Sequence, residues 1–335
     1  MSGNNKMRLQ NFLLFFTISF ISSLSNNIVC ASTQSTTMQS EPKGVALYNQ
    51  LKIDAAIEQL TSEAASGNTE SQYYLAEAIR KKNRYMAPEA QQWYETAAEK
   101  NNVYAMIQLG RFKNDFCQKI GNCPPSKKTQ AEWLINAKKI TQPKAMNGDP
   151  ESLYLMYEIT LDRAWLEKSA TAGFALAQYW MAVSERQGEG FFLIPGKRDA
   201  SVKKWLLLSS EGGYPKAMMD YLEILHKEGD TESIRHWLEL AAETGYQAAV
   251  SSYGAYISHT PDKVGYPMDI VKGYALYSLL KELDGGGGIK RFVEKKLDSI
   301  AEKMTPEQIE KSKVVAEQWK ATHPPLSFFP DKLGN

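Results

Sequence analysis

The residues best suited to catalysis are few and widely separated along this sequence. The histidines are His226, His236, His259 and His323, and no two of them have the His-Glu-x-x-His spacing that places two metal ligands on one helical face. Ser201 and Lys204 have the Ser-x-x-Lys spacing of penicillin-recognising enzymes, but the accompanying Ser-Asp-Asn and Lys-Thr-Gly motifs do not occur. We therefore predict a protein that is not an enzyme and uses no metal or cofactor, with a cell-wall or β-lactam-processing enzyme as the alternative.

Two of the three cysteines lie close together. Cys117 and Cys123 enclose a short segment that contains Gly121. No histidine lies within 100 residues of this pair, so a zinc site would lack further ligands. In an oxidising compartment we expect a disulfide that pins one local loop.

The first 31 residues have the features of a secretory signal peptide. Lys6 and Arg8 precede an apolar run over 12–24, and Val29 and Ala31 stand three positions and one position before a favourable cleavage site. We predict cleavage after Ala31, followed by a disordered stretch over 32–44. The protein is therefore expected to be periplasmic or secreted.

Two other interpretations of this segment are less favourable. Lipidation at Cys30 would require a smaller residue than Val29 directly before it. The apolar run is also shorter than the roughly 20 residues that span a bilayer, so we expect no membrane insertion after cleavage.

The charge balance gives no sign of a nucleic-acid partner. Cleavage would remove two of the 39 basic residues and none of the 38 acidic ones, which leaves a net charge of −1. A protein that binds the phosphate backbone needs an excess of Lys and Arg, so we predict no nucleic-acid binding.

Tryptophan spacing reveals an internal repeat. Five tryptophans follow one another at intervals of 40, 32, 40 and 32 residues, namely Trp93, Trp133, Trp165, Trp205 and Trp237. Leu60 and Leu276 extend this series in the two directions. Each is followed by small residues and, in most units, by a glycine that suits the end of a helix, as in Ala170 and Gly173 after Trp165. A second helix then begins, with a small and a large apolar residue four apart, as in Ala105 and Leu109. We expect each large aromatic residue to anchor its helix against the next.

The third unit departs from this pattern. No glycine stands near Thr141, and Pro143 lies in an insertion before Gly148. We expect an irregular loop there.

Each unit reads as a helical hairpin of roughly 32 to 40 residues, too small to bury its own apolar face, so neighbouring units must stack. The predicted fold class is all-α, a right-handed α-α superhelix of about six hairpins over 45–284 with a C-terminal capping helix. The alternating spacing predicts extra residues between the two helices of every other unit. A glycine-rich linker and the capping helix occupy 285–322, and 323–335 is a tail.

The repeat resembles the Sel-one-like repeat, a relative of the tetratricopeptide repeat. The resemblance is carried by Ala97-Ala98 through Leu109-Gly110 and by Ala172-Gly173 through Ala177-Gln178, and it covers about residues 53–319. It implies an α-solenoid of exported bacterial type.

The capping helix has its own start signal. Thr305, Pro306 and Gln308 form a capping box with proline at the first helical position. We expect Ile309, Val314 and Trp319 to cover the exposed end of the last hairpin.

Partner-binding residues are predicted by counting six and seven positions from each turn, which gives Tyr73, Tyr74, Ile107, Gln108, Tyr154, Leu155, Tyr179, Trp180, Met219, Asp220, Ser251 and Ser252. The strongest candidates in this stripe are Tyr74, Gln108, Leu155 and Trp180, because aromatic residues in a groove are typical of protein-binding hot spots. Glu77, Arg111 and Glu158, one turn further on, are predicted to form a polar rim. For each member, packing between helices is the competing interpretation.

These features favour a monomeric scaffold that holds a protein partner in a concave groove. One specific hypothesis, by family analogy, is an immunity protein or inhibitor of a periplasm-acting toxin. Regulation of envelope signalling and recognition of host proteins remain open.

Overall fold

The computed structural model describes residues 42–111, 115–283 and 288–334. The predicted signal peptide, Cys30 and residues 32–41 lie outside this part of the chain. Every named element within it is an α-helix, and none of these helices is both long and apolar enough to cross a membrane.

The helices follow one another in chain order as α1 Lys43–Asn49, α2 Ile53–Ala65, α3 Thr69–Asn83, α4 Pro88–Glu99, α5 Val103–Arg111, α6 Phe116–Ile120, α7 Gln130–Met146, α8 Pro150–Thr160, α9 Arg163–Thr171, α10 Ala175–Arg186, α11 Lys197–Glu211, α12 Pro215–Glu228, α13 Thr231–Glu243, α14 Gln247–Ile257, α15 Ile270–Leu280, α16 Gly288–Ala301 and α17 Pro306–Thr322. The first of them begins two residues before the predicted start of the repeats.

Six of the helix pairs are the predicted hairpins, and each hairpin packs against the next. They are α2 with α3, α4 with α5, α7 with α8, α9 with α10, α11 with α12, and α13 with α14. The residue at each turn has a left-handed backbone, as at Gly173 with φ 93° and Asn101 with φ 67°. The predicted all-α superhelical repeat fold is confirmed.

One apolar position is repeated in the first helix of each hairpin and in α15, which follows the last hairpin. Its residue is at most 1 % exposed in all seven of these helices, where it is Leu60, Tyr94, Trp133, Leu166, Leu206, Leu238 and Leu276. The residue four positions later is also buried, and in six of the seven it is an alanine or a serine, which lets two backbones approach closely.

The indole rings are not the main anchors, contrary to our expectation. Four of the five repeat tryptophans are half-buried, and the residue that follows each of them is the fully buried one. Because successive helical residues point about 100° apart, these indoles lie at the edge of the core, where an amphipathic ring packs one side and leaves the other wet. Trp133 alone occupies the central position itself.

The third unit forms no irregular loop, so that prediction was wrong. Helix α7 continues through Pro143 to Met146, and Gly148 then makes the turn. Pro143 lies in the last turn, where little of the helix follows it. Thr141 and Ala145 stay buried at four-residue spacing after Trp133 because two added turns keep the same face inward.

The extra residues of the alternating spacing lie between hairpins, not within them. Residues 187–196 connect α10 to α11, and residues 258–269 connect α14 to α15. The predicted position inside each unit was wrong because both insertions follow the second helix.

Two helices close the C-terminal end of the repeats. Both α16 and α17 pack against α15, and Thr305 and Gln308 form the predicted capping box. Trp319 is buried as expected, but Val314 is 57 % exposed, and Ser312 and Ala316 take the inward face instead. The glycines at 285–287 lie outside the described residues.

Candidate protein-binding groove

The helices that follow the turns line one concave groove. Its curvature is evident from residues 326–334, here called the closing segment, which follow α17 and contact residues on or beside α3, α5, α12 and α14. Nine residues can span at most about 30 Å even when fully extended. Helices that are distant in sequence must therefore face a common surface.

Main-chain hydrogen bonds fix the first part of the closing segment. The Ser327 N–H donates to the Gly245 carbonyl and the Gln247 N–H donates to the Ser327 carbonyl, each at 2.9 Å. The Phe328 N–H donates to the Asn49 carbonyl at 2.9 Å. The segment therefore ties the end of α1 to the turn before α14, and the two ends of the helical stack lie together.

Gly245 allows this close approach. A Cβ atom at this position would lie 2.8 Å from the Pro325 carbonyl oxygen, whereas a Cβ atom at the equivalent Gly213 would meet nothing within 4 Å. The main chain after α17 therefore passes directly over one turn of the repeat.

The acidic side chain of the closing segment binds α12. Asp331 lies 2.7 Å from Lys216 Nζ, and the Tyr214 hydroxyl donates to it at 3.2 Å. Burial raises the pKa of Tyr214 well above its ordinary value, so this hydroxyl stays a donor throughout the neutral range.

The basic side chain of the closing segment binds α3 and α5. Lys332 Nζ lies 4.3 Å from the ring centroid of Tyr104, 5.8 Å from that of Tyr74 and 3.4 Å from Glu70. The Tyr73 hydroxyl donates to the Lys332 carbonyl. An ammonium over two rings and beside a carboxylate combines cation–π attraction with an ion pair.

A buried polar network forms the floor at this end of the groove. Glu77 accepts hydrogen bonds from the Tyr94 hydroxyl at 2.7 Å and from Gln108 Nε2 at 2.8 Å. Arg80 donates to the side-chain oxygen Oε1 of Gln108 at 3.2 Å and pairs with Asp115 at 3.2 Å. Burial raises the pKa of Glu77, and its hydrogen bonds and Arg80 oppose that effect.

The structure brings most of the predicted partner-binding residues to this groove. Arg111 pairs with Glu158, and Trp180 lines a cavity beside the closing segment. Gln108 and Leu155 are buried, at 5 % and 6 % exposure. Tyr74 packs against Tyr48 and Tyr73, with ring centroids 5.3 Å apart in both pairs.

Glu77 does not lie on the rim, contrary to our expectation. It is 8 % exposed and its carboxylate points into the network beneath the groove. The count from the turn predicted a rim position, but the hydrogen bonds from Tyr94 and Gln108 hold this carboxylate beneath the groove surface.

Two of the cavities beside the closing segment are lined by Asp331. One of about 860 Å³ lies between Arg80, Arg111, Asp115 and Asp331. The other, of about 290 Å³, is lined by Arg111, Tyr154 and Trp180. The Trp180 Nε1 atom is buried and has no hydrogen-bond partner among the described residues.

Sequence reasoning missed several residues that contact the closing segment, namely Asn49, Glu70, Tyr104, Tyr214, Lys216 and Tyr246. A signal for two of them was present. An aromatic residue directly follows the turn glycines Gly173, Gly213 and Gly245, and Tyr214 and Tyr246 reach the closing segment from these places.

The predicted disulfide between Cys117 and Cys123 is present, with Cα atoms 4.7 Å apart. The Cys117 N–H donates to Asp115 at 3.0 Å. Because Asp115 also binds Arg80, the disulfide loop is connected to the floor of the groove.

The alternative enzymatic pair lies elsewhere. Ser201 and Lys204 are both on α11, and Lys204 Nζ lies 5.2 Å from the ring centroid of Trp205. Neither residue is among those lining the two groove cavities. Within the described ranges, His, Cys, Asp and Glu side chains form no group of three that could hold a metal ion.

Repeated hairpins with this spacing of small residues and turn glycines are the architecture that the sequence resemblance predicted. The chain resembles Sel-one-like repeat proteins in this all-α arrangement of helical hairpins. It is similar to the crystal structure of a protective antigen from uropathogenic Escherichia coli strains displaying an SLR fold, with 19 % identity and a TM-score of 0.45. That match covers 80 % of this chain and 56 % of the antigen, so the chain spans little more than half of its length.

A second solved structure of this kind is the Sel1 repeat protein from Oxalobacter formigenes. It is 20 % identical, with a TM-score of 0.35, and the match covers 68 % of this chain and 92 % of that one. No family model and no curated protein matches the sequence. Both matches are under 25 % identical and have TM-scores below 0.5, so no argument about this chain rests on them.

Proposed function

We propose that this Sel-one-like repeat protein is a binding scaffold that holds a protein partner in its groove. The observation that carries the proposal is that the groove already binds polypeptide. It holds the closing segment through main-chain hydrogen bonds, two ion pairs and aromatic contacts. A surface with this lining can hold an extended chain from another protein by the same interactions.

We further propose that the scaffold acts in the periplasm or after secretion, as a monomer. Support comes from the signal-peptide features of residues 1–31 and from the Cys117–Cys123 disulfide, which suits an oxidising compartment. An immunity protein that neutralises a periplasm-acting toxin is one specific form of this function.

A pull-down from periplasmic extract with two matched variants tests the proposal. Trp180→Ala removes a half-buried indole that lines the groove, and Trp165→Ala removes a half-buried indole on the preceding helix, α9. We expect the wild-type chain and Trp165→Ala to retain the same partner, and Trp180→Ala to lose at least about ten-fold in affinity, as for a hot-spot residue.

Circular dichroism spectra of the two variants provide the folding control. Equal retention of every captured protein by both variants would contradict binding in the groove.

A further inference from the structure

The closing segment consists of two parts with different contacts. Residues 326–329 are held by main-chain hydrogen bonds to both ends of the helical stack. Residues 330–334 are held by the ion pairs of Asp331 and Lys332, whose side chains remain 30 % and 32 % exposed, and by the hydrogen bond from the Tyr73 hydroxyl to the Lys332 carbonyl. Part-exposed ion pairs contribute little each, so these contacts are few and weak compared with the packing of the helices that form the groove.

The rings that receive Lys332 have contacts of their own within the helices. The Tyr104 hydroxyl donates to Glu151, and Tyr74 packs against Tyr48. Neither contact involves the closing segment, so both rings keep these partners when the segment leaves. A preformed site that is filled by a weakly held segment can exchange that segment for a ligand.

The geometry points to a partner of defined chemistry. We propose that the groove binds an extended peptide segment of another protein in which an acidic residue is followed by a basic one, and that residues 330–334 occupy this place until the partner displaces them. This inference rests on the proposed function. The acid would lie beside Lys216 and Tyr214, and the base between Glu70 and the rings of Tyr74 and Tyr104.

Space beyond the segment favours an external ligand over a purely structural closure. The cavities of about 860 Å³ and 290 Å³ flank residues 331–334 and are lined by further charged and aromatic side chains. The half-buried ring of Trp180 lines the smaller cavity and offers an aromatic surface to a longer or bulkier peptide.

A titration with a defined peptide tests the proposal. The probe is a fluorescein-labelled, amidated peptide with the sequence of residues 326–334. It is titrated against the full wild-type chain and against the full chain with both Asp331→Lys and Lys332→Glu, here called the exchanged chain. In the exchanged chain the closing segment meets like charges in the groove, while the groove residues are unchanged. We expect the exchanged chain to bind the peptide about ten-fold more tightly than the wild-type chain.

Two controls identify where the peptide binds. A peptide with the same two exchanges should not bind either chain, and adding Lys216→Glu to the exchanged chain should abolish binding of the unmodified peptide. Equal affinity of the two chains, or equal binding of both peptides, would overturn the proposal. A wild-type dimer in sedimentation that disappears in the exchanged chain would also overturn it, because the segment would then belong to a second copy's groove.

A second pair of variants guards against misfolding of the exchanged chain. Gly245→Asn weakens the attachment of the segment without altering its side chains, and Gly213→Asn is the matched control at an equivalent turn. Gly245→Asn alone should bind the peptide more tightly than wild type, and no difference between the two would oppose the proposal.

The peptide titration and the pull-down separate the two conclusions. If the exchanged chain binds the peptide more tightly but no captured protein depends on Trp180, the proposal that the closing segment occupies the groove stands and the proposed scaffold function falls. If a captured protein depends on Trp180 but the two chains bind the peptide equally, the scaffold function stands and the closing segment has only a structural role.

Discussion

Replacing Gly245 by asparagine should release the closing segment while leaving the repeat intact. Gly245 has φ 79°, a conformation that asparagine tolerates better than other residues with a side chain. Its new Cβ atom would lie 2.8 Å from the Pro325 carbonyl oxygen and 3.0 Å from that of Pro324, so the main chain there must shift. The matched variant, Gly213→Asn, has φ 84° and open space around its Cβ position.

The expected loss of local stability follows from the number of hydrogen bonds that the substitution would break. The shift would break the two main-chain hydrogen bonds between Ser327 and the turn at 245–247. Each such bond contributes about 0.5–1.5 kcal/mol, so the segment should lose about 1–3 kcal/mol of local stability. At 1.4 kcal/mol for each factor of ten, opening becomes about 5- to 150-fold more frequent.

Hydrogen exchange followed by mass spectrometry measures this opening directly. Peptides that cover the Ser327 and Phe328 amides should exchange faster in Gly245→Asn by that factor, while peptides from α3 and α12 should not change. Gly213→Asn should exchange like the wild type in all of these peptides. Identical exchange at 327–328 in the two variants would refute the proposed attachment.

Three further predictions concern the floor, the core and the catalytic alternative. Burial raises the pKa of Glu77, so the folded state holds a proton that the unfolded state releases. The free energy of unfolding in urea should therefore fall as the pH rises from the ordinary Glu pKa through the raised pKa of the folded state. Glu77→Gln should flatten this pH dependence. Leu206→Ala should lower the free energy of unfolding by about 2–5 kcal/mol, whereas Val314→Ala should change it by less than about 0.5 kcal/mol. Ser201→Ala should leave partner retention unchanged, and a chromogenic β-lactam hydrolysed by the wild type but not by this variant would establish the enzymatic alternative.

The repeat could be predicted from the sequence because its determinants are local. Leu109 lies four residues after Ala105, and both face the neighbouring helix once that segment is helical. The same reasoning failed for the tryptophans, where a shift of one position decides which residue is buried. The tryptophans are conspicuous in the sequence, but a one-residue offset on a helix rotates a side chain by about 100°, which moves four of the indoles to the edge of the core.

The binding of the closing segment in the groove could not be predicted, because its contacts join residues that are far apart in the sequence. Lys332 and Glu70 are 262 residues apart, and no periodic pattern relates them. Asp331 and Lys332 lie in a proline-rich stretch that reads as a solvated tail. The count from each turn predicted that Gln108 and Glu77 face a partner, but it could not show that both side chains are buried and bonded to each other.

Self-occupancy of the groove sets the affinity that a partner must have. The two part-exposed ion pairs of Asp331 and Lys332 contribute about 0.2–1 kcal/mol each, the lysine–ring contacts add about 0.5–1 kcal/mol, and the Tyr73 hydrogen bond to the Lys332 carbonyl adds about 0.5–1.5 kcal/mol, so residues 330–334 are held by about 1.4–4.5 kcal/mol. The open fraction is then about 0.05–9 %, and the apparent dissociation constant of any ligand rises by about 10- to 2,000-fold. A partner with one complementary acid and base would barely displace the segment. A partner that also fills the cavities beside Arg111 and Trp180 gains contacts that the closing segment does not make, and those cavities therefore determine which proteins can open the groove.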